Sequence, residues 1–270
     1  MTAAPHWTSY AKAATATLFW GGSFIAVRFA LEAATPFGVV WMRNALAAVL
    51  LFIILRSRGQ SVLPERGDRG MVVFLGLLFG AHLLVQTWAV ARTTTMHAGW
   101  IIAFIPAVVA VGAWLFQRQR FRVVGWVGIL VASAGVFVLT ATAPARLSGA
   151  GFGDLLMLAT TLSWAAYTLL SGAPAKRNGG LCVSANVLLV SIVPNAIAAL
   201  FMGSWHAMPG VHAIAALLFL GLGASGVAMW LFTDAIAELG PERSAAFQYV
   251  QPLVTMAAAV FITGSQSGVV

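Results

Sequence analysis

The chain has 270 residues, of which 60% are hydrophobic and only 8% are charged. A soluble domain carries roughly a quarter charged residues, so this composition excludes an ordinary soluble enzyme and indicates a membrane protein. The single cysteine, Cys182, permits no internal disulfide and has no cysteine partner with which to form a zinc site. We therefore expect no metal and no other cofactor.

Apolar blocks long enough to cross a bilayer recur along the whole chain. A spanning helix needs about 20 apolar residues, and nine such blocks are present. Their predicted bounds are 13–33, 37–55, 71–91, 96–117, 123–143, 154–173, 181–203, 211–233 and 244–263. Because the spans leave only short connections, any function must lie within the helical bundle. We predict an all-α, multi-pass protein of the bacterial inner membrane, with the lipid bilayer as its surroundings.

The net charge of +8 comes from basic residues that lie mostly between the apolar blocks. With a cytoplasmic N-terminus, eleven of the fifteen Lys and Arg fall on the inner side and two, Arg92 and Arg146, on the outer side. The inner residues are Lys12, Arg56, Arg58, Arg66, Arg69, Arg118, Arg120, Arg122, Lys176, Arg177 and Arg243. This bias follows the positive-inside rule and predicts a cytoplasmic N-terminus. The charge therefore reports topology, and we expect no nucleic-acid partner.

The two halves of the sequence share three short segments in the same order, at offsets of 144 to 146 residues. The matched pairs are 17–22 with 161–166, 89–91 with 235–237, and 98–106 with 244–252. A repeat unit of five spans is odd in number, so its second copy enters the membrane from the opposite side. We predict two inverted five-helix repeats, residues 1–145 and 146–270. Ten helices are then expected although nine are visible. Either the sequence stops before a tenth helix, which the repeat favours, or the second repeat lacks its last helix.

Several of these segments resemble EamA-type members of the drug/metabolite transporter superfamily. The resemblance is carried by Trp20-Gly21-Gly22-Ser23-Phe24, by residues 91–116 with their central Pro106, and by residues 239–253 with Pro252. The resemblance covers nearly the whole chain, and within the family the sequence is most similar to the YddG type. The resemblance implies ten helices in two inverted halves and export of small metabolites, aromatic amino acids and related compounds in particular. The turn at Gln117-Arg118-Gln119-Arg120 and the missing tenth helix depart from the family, so energy coupling is not carried over.

Polar side chains at mid-depth in the spans are candidates for contact with a solute, because lipid gives an unpaired polar group no partner. His82 and Gln86 share one face of the third span at a spacing of four residues. Gln248 and Gln251 flank Tyr249 in the ninth span. We predict that these five residues bind substrate, the alternative being hydrogen bonds that serve only helix packing.

Four aromatic residues stand out among ten tryptophans and seventeen phenylalanines. Trp20 and Trp164 are equivalent in the repeat, in the two spans expected to meet across the pseudo-axis. Trp100 and Phe104 form a pair at a spacing of four just before Pro106. We predict that these four rings line a central cavity, with ordinary core packing as the alternative.

Pro106 and Pro252 occupy matching mid-span positions. A proline removes one helical hydrogen bond and bends the helix. We predict that both residues produce kinks or hinges next to the cavity, against the alternative of prolines that are merely tolerated.

Arg28 and Glu32 lie four residues apart near the outer end of the first span, and Arg43 lies within the second span. Two interpretations remain open for these three residues. They form a structural ion pair or extend to the interface, or else they serve as an outer gate or a contact for a carboxylate.

The sequence contains no pattern of catalytic or metal-binding residues, and we predict that the protein is not an enzyme. Ser163 and Ser225 are the nucleophiles that a remote alternative, an intramembrane enzyme, would use. The prediction is a secondary transporter, monomeric or weakly dimeric, that exports a small-molecule substrate of apolar or zwitterionic character by alternating access. Export of hydrophobic drugs or of other amino acids is the nearest alternative.

Overall fold

The computed structural model describes residues 7–93, 95–118 and 151–263, with 125–128, 130, 131 and 134 between them. These residues are helical throughout apart from short connections, and one isolated antiparallel bridge joins Ala34 to Trp205. The predicted all-α class is confirmed for this part of the chain.

The helices are separated by short turns and, in three places, by stretches of different helical type. The α-helices are α1 (Trp7–Leu31), α2 (Pro36–Ser57), α3 (Arg69–Val90), α4 (Thr95–Ile102), α5 (Ile105–Gln117), α6 (Phe152–Asn178), α7 (Gly180–Met202), α8 (Val211–Leu218), α9 (Ala228–Leu239), α10 (Pro241–Ala246) and α11 (Gln251–Thr263). A 3-10 turn, Arg66–Asp68, precedes α3, and a second one, Phe247–Val250, precedes α11. A π-helix, Phe219–Val227, connects α8 to α9.

Seven helices in the described residues are long and apolar enough to cross a membrane. They are α1, α2, Arg66–Val90, Ala98–Gln117, α6, α7 and Val211–Leu239. The predicted span 123–143 lies largely outside the described residues. The predicted span 244–263 corresponds to α10, the 3-10 turn and α11, so it is broken rather than continuous.

Local sequence explains where several helices begin and end. Thr35 caps α2, because its side-chain oxygen accepts a hydrogen bond from the Gly38 amide (3.1 Å) while Pro36 begins the first turn. Gly179 alone separates α6 from α7 at φ 82°, and Gly240 separates α9 from α10 at φ 89°. Both conformations suit glycine, which carries no Cβ.

The most extensive helix contacts join the first and second predicted halves, as α2 and α3 pack on α7 and α1 packs on α9. Glycines allow this close approach. A Cβ at Gly76 would lie 2.6 Å from the Cβ of Val190, and one at Gly221 would lie 2.7 Å from that of Leu46. These small-residue positions therefore pack inside the bundle, where they cannot form a dimer contact.

Polar contacts close both ends of the bundle. At the end that carries the N-terminus, the N-terminal face, Lys12 pairs with Asp234 (3.3 Å) and with Glu238 (2.6 Å). On the same face Arg177 pairs with Asp68. At the other end, the opposite face, the Thr35 hydroxyl donates to the Gly203 carbonyl (2.6 Å) and the Thr35 amide to the Ser204 carbonyl (3.0 Å).

Candidate functional site

A cavity of about 40 Å³ lies in the interior of the bundle, between helices of both predicted halves. That volume holds a few water molecules and is far below the roughly 300–1,000 Å³ of pockets that enclose small ligands. Six of the nine predicted substrate-binding residues line it: Trp20, His82, Gln86, Trp164, Gln248 and Gln251.

Trp164 of α6 is the centre of an aromatic cluster beside this cavity. Its ring stacks on Tyr167 (centroids 5.2 Å apart, planes 12° apart) and on Phe232 (5.9 Å, 27°). Trp20 of α1 meets Trp164 edge to face, with centroids 5.1 Å apart. Phe79 of α3 lies 6.3 Å from Trp164. Edge-to-face and offset-stacked arrangements are the favoured geometries for aromatic pairs, so the cluster is a preformed apolar wall.

The indole of Trp20 is held by the π-helix. Its Nε1–H donates to the Ala224 carbonyl at 2.9 Å, and Ala224 itself lines the cavity. Ser23, one turn further along α1, donates to the Trp20 carbonyl (2.7 Å). π-helical turns occur frequently at functional sites, where they re-aim backbone and side chains. Here the π-helix supplies the acceptor that fixes one edge of the aromatic wall.

His82 of α3 is buried, and its Nδ1 lies 2.9 Å from the Ser163 hydroxyl. Ser163 donates its own hydrogen to the Thr160 carbonyl (3.0 Å). With the Ser163 hydrogen directed to that carbonyl, the Ser163 oxygen can accept from Nδ1–H, an arrangement that leaves the His82 Nε2 as an acceptor. The ring is also 5.3 Å from that of Trp164.

This Ser–His contact does not constitute a catalytic pair. A base that activates serine accepts the serine hydrogen and is oriented by a third group, commonly a carboxylate. In the described residues the Ser163 hydrogen goes to a backbone carbonyl, and no carboxylate contacts His82. Nor does the described part of the chain hold any group of three His, Cys, Asp or Glu residues suited to a metal ion.

Gln248 and Gln251 reach the cavity from the broken ninth span. Gln248 is 1% exposed, and neither its Oε1 nor its Nε2 has a hydrogen-bond partner among the residues that the structure describes. Their position follows from close packing of α11 on α1, where Thr255 donates to the Gly21 carbonyl (2.8 Å). A buried amide without partners has lost its hydration without compensation. Gln248 thus brings to the cavity wall an amide whose donor and acceptor are both unused in the described structure.

Arg43 also lines the cavity, whereas the sequence left open an ion pair, an extension to the interface, an outer gate or a contact for a carboxylate. It is 4% exposed, and its Nε donates to the Ser225 hydroxyl in the π-helix at 2.8 Å. The other two candidates for that gate lie elsewhere. Arg28 donates to the Thr93 carbonyl, Glu32 is exposed, and these two form no ion pair with each other in the described structure.

Three predicted substrate-binding residues do not line this cavity. Trp100 is buried in a separate small cluster with Ala103, against which Phe104 packs. Tyr249, in the 3-10 turn between Gln248 and Gln251, is not among the residues that line the cavity. In the conformation described, these three residues lie outside the cavity lining, and a role for them in substrate binding stays a prediction.

The two prolines lie at equivalent breaks. The helix stops at Ile102 and restarts at Ile105, with Pro106 in the first turn of α5. Similarly, the 3-10 turn Phe247–Val250 ends just before α11, whose second residue is Pro252. Each proline therefore lies in the first turn of a helix. Backbone N–H groups in this turn have no hydrogen-bond acceptor within the helix, so the absence of one from proline costs no helical hydrogen bond. The sequence predicted a kink within a continuous helix, whereas each proline follows a break between two helical segments. The predicted hinge role of the two prolines stays a prediction.

The sequence analysis missed other aromatic residues of the site. Phe79 and Tyr167 lie three residues from His82 and Trp164, on the same helix faces, and Phe232 contacts both Trp20 and Trp164. The spacing of three was an available signal for Phe79 and Tyr167. Nothing in the sequence distinguished Phe232 from the lipid-facing phenylalanines.

Comparison with known proteins shows the family. The EamA-like transporter family matches residues 7–141 and 151–269. The uncharacterized inner membrane transporter YedA of Escherichia coli K12 is 26% identical over 245 residues, covering 88% of this chain and 78% of YedA. The uncharacterized transporter YwfM of Bacillus subtilis 168 is 26% identical over 255 residues, covering 92% of this chain and 83% of YwfM.

A solved structure described only as the crystal structure of a protein has the same fold. It matches with a TM-score of 0.76 at 21% identity, covering 94% of this chain and 88% of the other. The relatives are named as transporters, which argues against an enzyme, and YedA agrees with the predicted inner-membrane location. A membrane transporter has the lipid bilayer as its surroundings and a small molecule as its substrate. The chain belongs to the EamA-like transporter family.

Proposed function

We propose that this transporter exports aromatic amino acids or closely related zwitterionic metabolites, as YddG-type exporters do. The observation that carries the proposal is the combination of an aromatic wall, Trp20 and Trp164, with the unpaired buried amide of Gln248 in one cavity. The wall offers stacking surface to an aromatic side chain. Gln248, with Gln86, Gln251 and the His82 Nε2, offers hydrogen-bond partners to an amino or carboxylate group.

The proposed mechanism is alternating access by two inverted repeats of five helices, with a cytoplasmic N-terminus. Two family matches of similar extent, 7–141 and 151–269, support the repeats. The helix breaks before Pro106 and Pro252 are equivalent in position and suit hinges next to a central site. We place the opening of each side in the contacts of the two faces, Lys12 with Asp234 on one and Thr35 with Gly203 on the other.

The small volume of the cavity supports the proposed alternating-access motion. A cavity of about 40 Å³ cannot hold an amino acid. Substrate binding therefore requires the walls to separate, and we take the present conformation as one with a contracted site. The polar contacts at the two faces would then break in turn, one set for each direction of opening.

The test is transport by the full-length chain in proteoliposomes. Radiolabelled tryptophan, phenylalanine, threonine and a lipophilic cation are compared for the wild type, Trp164→Ala and His82→Ala. A matched control is Trp7→Ala, since Trp7 is 85% exposed at the start of α1. We expect saturable flux of tryptophan and phenylalanine that falls in the two cavity variants and persists in the control.

The other outcomes each correct the proposal. Flux of threonine in preference to aromatic residues would move the assignment to other amino acids, and flux of the cation alone would move it to drug export. Absence of flux for every solute would overturn the proposed transport activity. The proposed orientation has its own test, a cysteine placed at the N-terminus. A membrane-impermeant maleimide added outside the cells should label this cysteine only after the cells are permeabilised.

A further inference from the structure

Arg43 is a buried cation within a membrane span, and the described residues provide it with no counter-charge. It is the only Lys or Arg that is buried in the described part of the chain. Its single hydrogen bond runs from Nε to the uncharged Ser225 hydroxyl, and its two Nη groups bond to no residue that the structure describes. A charge buried in a membrane protein ordinarily pairs with an opposite charge or faces a functional cavity.

Other basic residues of the bundle are accommodated differently. Lys12 and Arg177 pair with carboxylates, and Arg58 lies 4.7 Å from the ring centroid of Trp230. Arg28, near a helix end, reaches a backbone carbonyl. Arg43 has none of these accommodations, and its position in the cavity lining excludes the interpretation that it extends to the interface.

The surroundings hold Arg43 in place on both sides. A Cβ at Gly221 of the π-helix would lie 3.3 Å from the Arg43 carbonyl oxygen. The backbones of α2 and the π-helix are therefore in close contact at this level. Ser225, one turn later in the π-helix, accepts from Nε. Arg43 is thus held at its backbone and at Nε, and it lines the cavity while its two Nη groups bond to no residue that the structure describes.

We infer that Arg43 binds the carboxylate of the transported solute, and this inference rests on the proposed function. Guanidinium N–H groups match a carboxylate geometrically and form charge-assisted hydrogen bonds with it. Binding supplies the missing counter-charge, and the aromatic wall formed by Trp20 and Trp164 receives the apolar part. The substrate class is therefore aromatic solutes that bear a carboxylate, whether or not they also carry an amine.

The inference separates solutes that share a ring and differ in charge. Tryptophan and indole-3-propionate both have a carboxylate, whereas tryptamine has the same indole and only the amine. In proteoliposomes with the wild-type chain, we expect both carboxylates to compete with labelled tryptophan and tryptamine to compete at least about 10-fold more weakly, as charge-assisted hydrogen bonds of this strength imply. This comparison needs no variant and so does not depend on the folding of one.

Variants of Arg43 then test whether this residue produces the preference for solutes that bear a carboxylate. Arg43→Gln should raise the KM for tryptophan by about 10-fold or more and abolish the preference over tryptamine, while Arg43→Lys should retain part of it. The matched control is Arg58→Gln, at the exposed residue that follows the end of α2, which should leave the preference unchanged.

Two outcomes would contradict the expectation, and they can be told apart. Transport of tryptophan with equal competition by tryptamine, or a preference that persists in Arg43→Gln, would overturn the role of Arg43 while leaving the proposed exporter intact. Absence of flux for all solutes in the wild type would overturn the proposed function itself.

Discussion

Replacement of Gln248 by methionine should change stability and transport in opposite directions. Gln248 is 1% exposed and both of its amide atoms lack partners. Methionine has nearly the same shape without the polar amide, so the substitution removes the unpaired groups and keeps the packing. We therefore expect Gln248→Met to be more stable than the wild type and a poorer transporter.

The magnitude follows from the state of the amide. A buried donor or acceptor without a partner costs about 1–3 kcal/mol, and the substitution recovers a gain of this order. In a chain of this size, each kcal/mol corresponds to roughly 2–4 °C in Tm. If the amide binds substrate, its loss should weaken the apparent affinity by about 5- to 150-fold, the same energy expressed as a binding ratio.

Cys182 provides the assay for stability. It is the one cysteine of the chain and is 3% exposed, so a maleimide dye reacts with it only on unfolding. Purified wild type and Gln248→Met are heated in detergent with such a dye, and tryptophan flux is measured in proteoliposomes. The expected pair of results is a higher Tm and a higher KM for tryptophan.

Asn195 offers a matched control away from the cavity. It is 1% exposed, and both of its amide atoms also lack partners. Asn195→Leu should raise Tm in the same way and leave the KM unchanged. A lower Tm for Gln248→Met would show that its amide is hydrogen-bonded in the folded protein, and an unchanged KM would show that it does not touch substrate.

Three further outcomes are expected. Trp164→Ala should lower the stability by about 3–5 kcal/mol, since the ring contacts several others, and Trp164→Phe should lose less, as thermal unfolding will show. Lys12→Gln should speed maleimide labelling of a cysteine placed at Ser23, since it removes the ion pairs that join α1 to α9; an unchanged labelling rate would argue against a gate at the N-terminal face. Gly76→Ala should destabilise by about 1–3 kcal/mol by overpacking against Val190, whereas Gly70→Ala, with open space around it, should be neutral or slightly stabilising; equal effects in denaturation would contradict the packing.

Part of the site was predictable from the repeat that the matched segments of the sequence indicate. The equivalence of Trp20 and Trp164 predicted that two distant rings would meet, and they lie 5.1 Å apart. The spacing of His82 and Gln86 predicted a shared helix face, and both line the cavity. By contrast, the spacing of Trp100 and Phe104 was equally regular, yet that pair faces a separate cluster.

The difference has a physical cause. Spanning helices are apolar on every side, since lipid and the bundle interior are both apolar, so hydrophobic periodicity does not tell which face turns inward. The inward position of Arg43 and the contribution of Phe232 could not be read from the spans that contain them. The π-helix Phe219–Val227, which holds both Trp20 and Arg43, has no sequence signal comparable to a proline or a cap.

The sequence by itself determined the membrane class, the positions of most spans, the candidate repeat and the resemblance to a transporter family, because bilayer thickness imposes the length and apolarity of each span. Only the tertiary structure decided which side chains share the cavity, that Gln248 lacks hydrogen-bond partners and that Arg43 lacks a counter-charge. Those properties depend on how helices from distant parts of the chain rotate and approach one another, and close packing at residues such as Gly76 and Gly221 sets that arrangement.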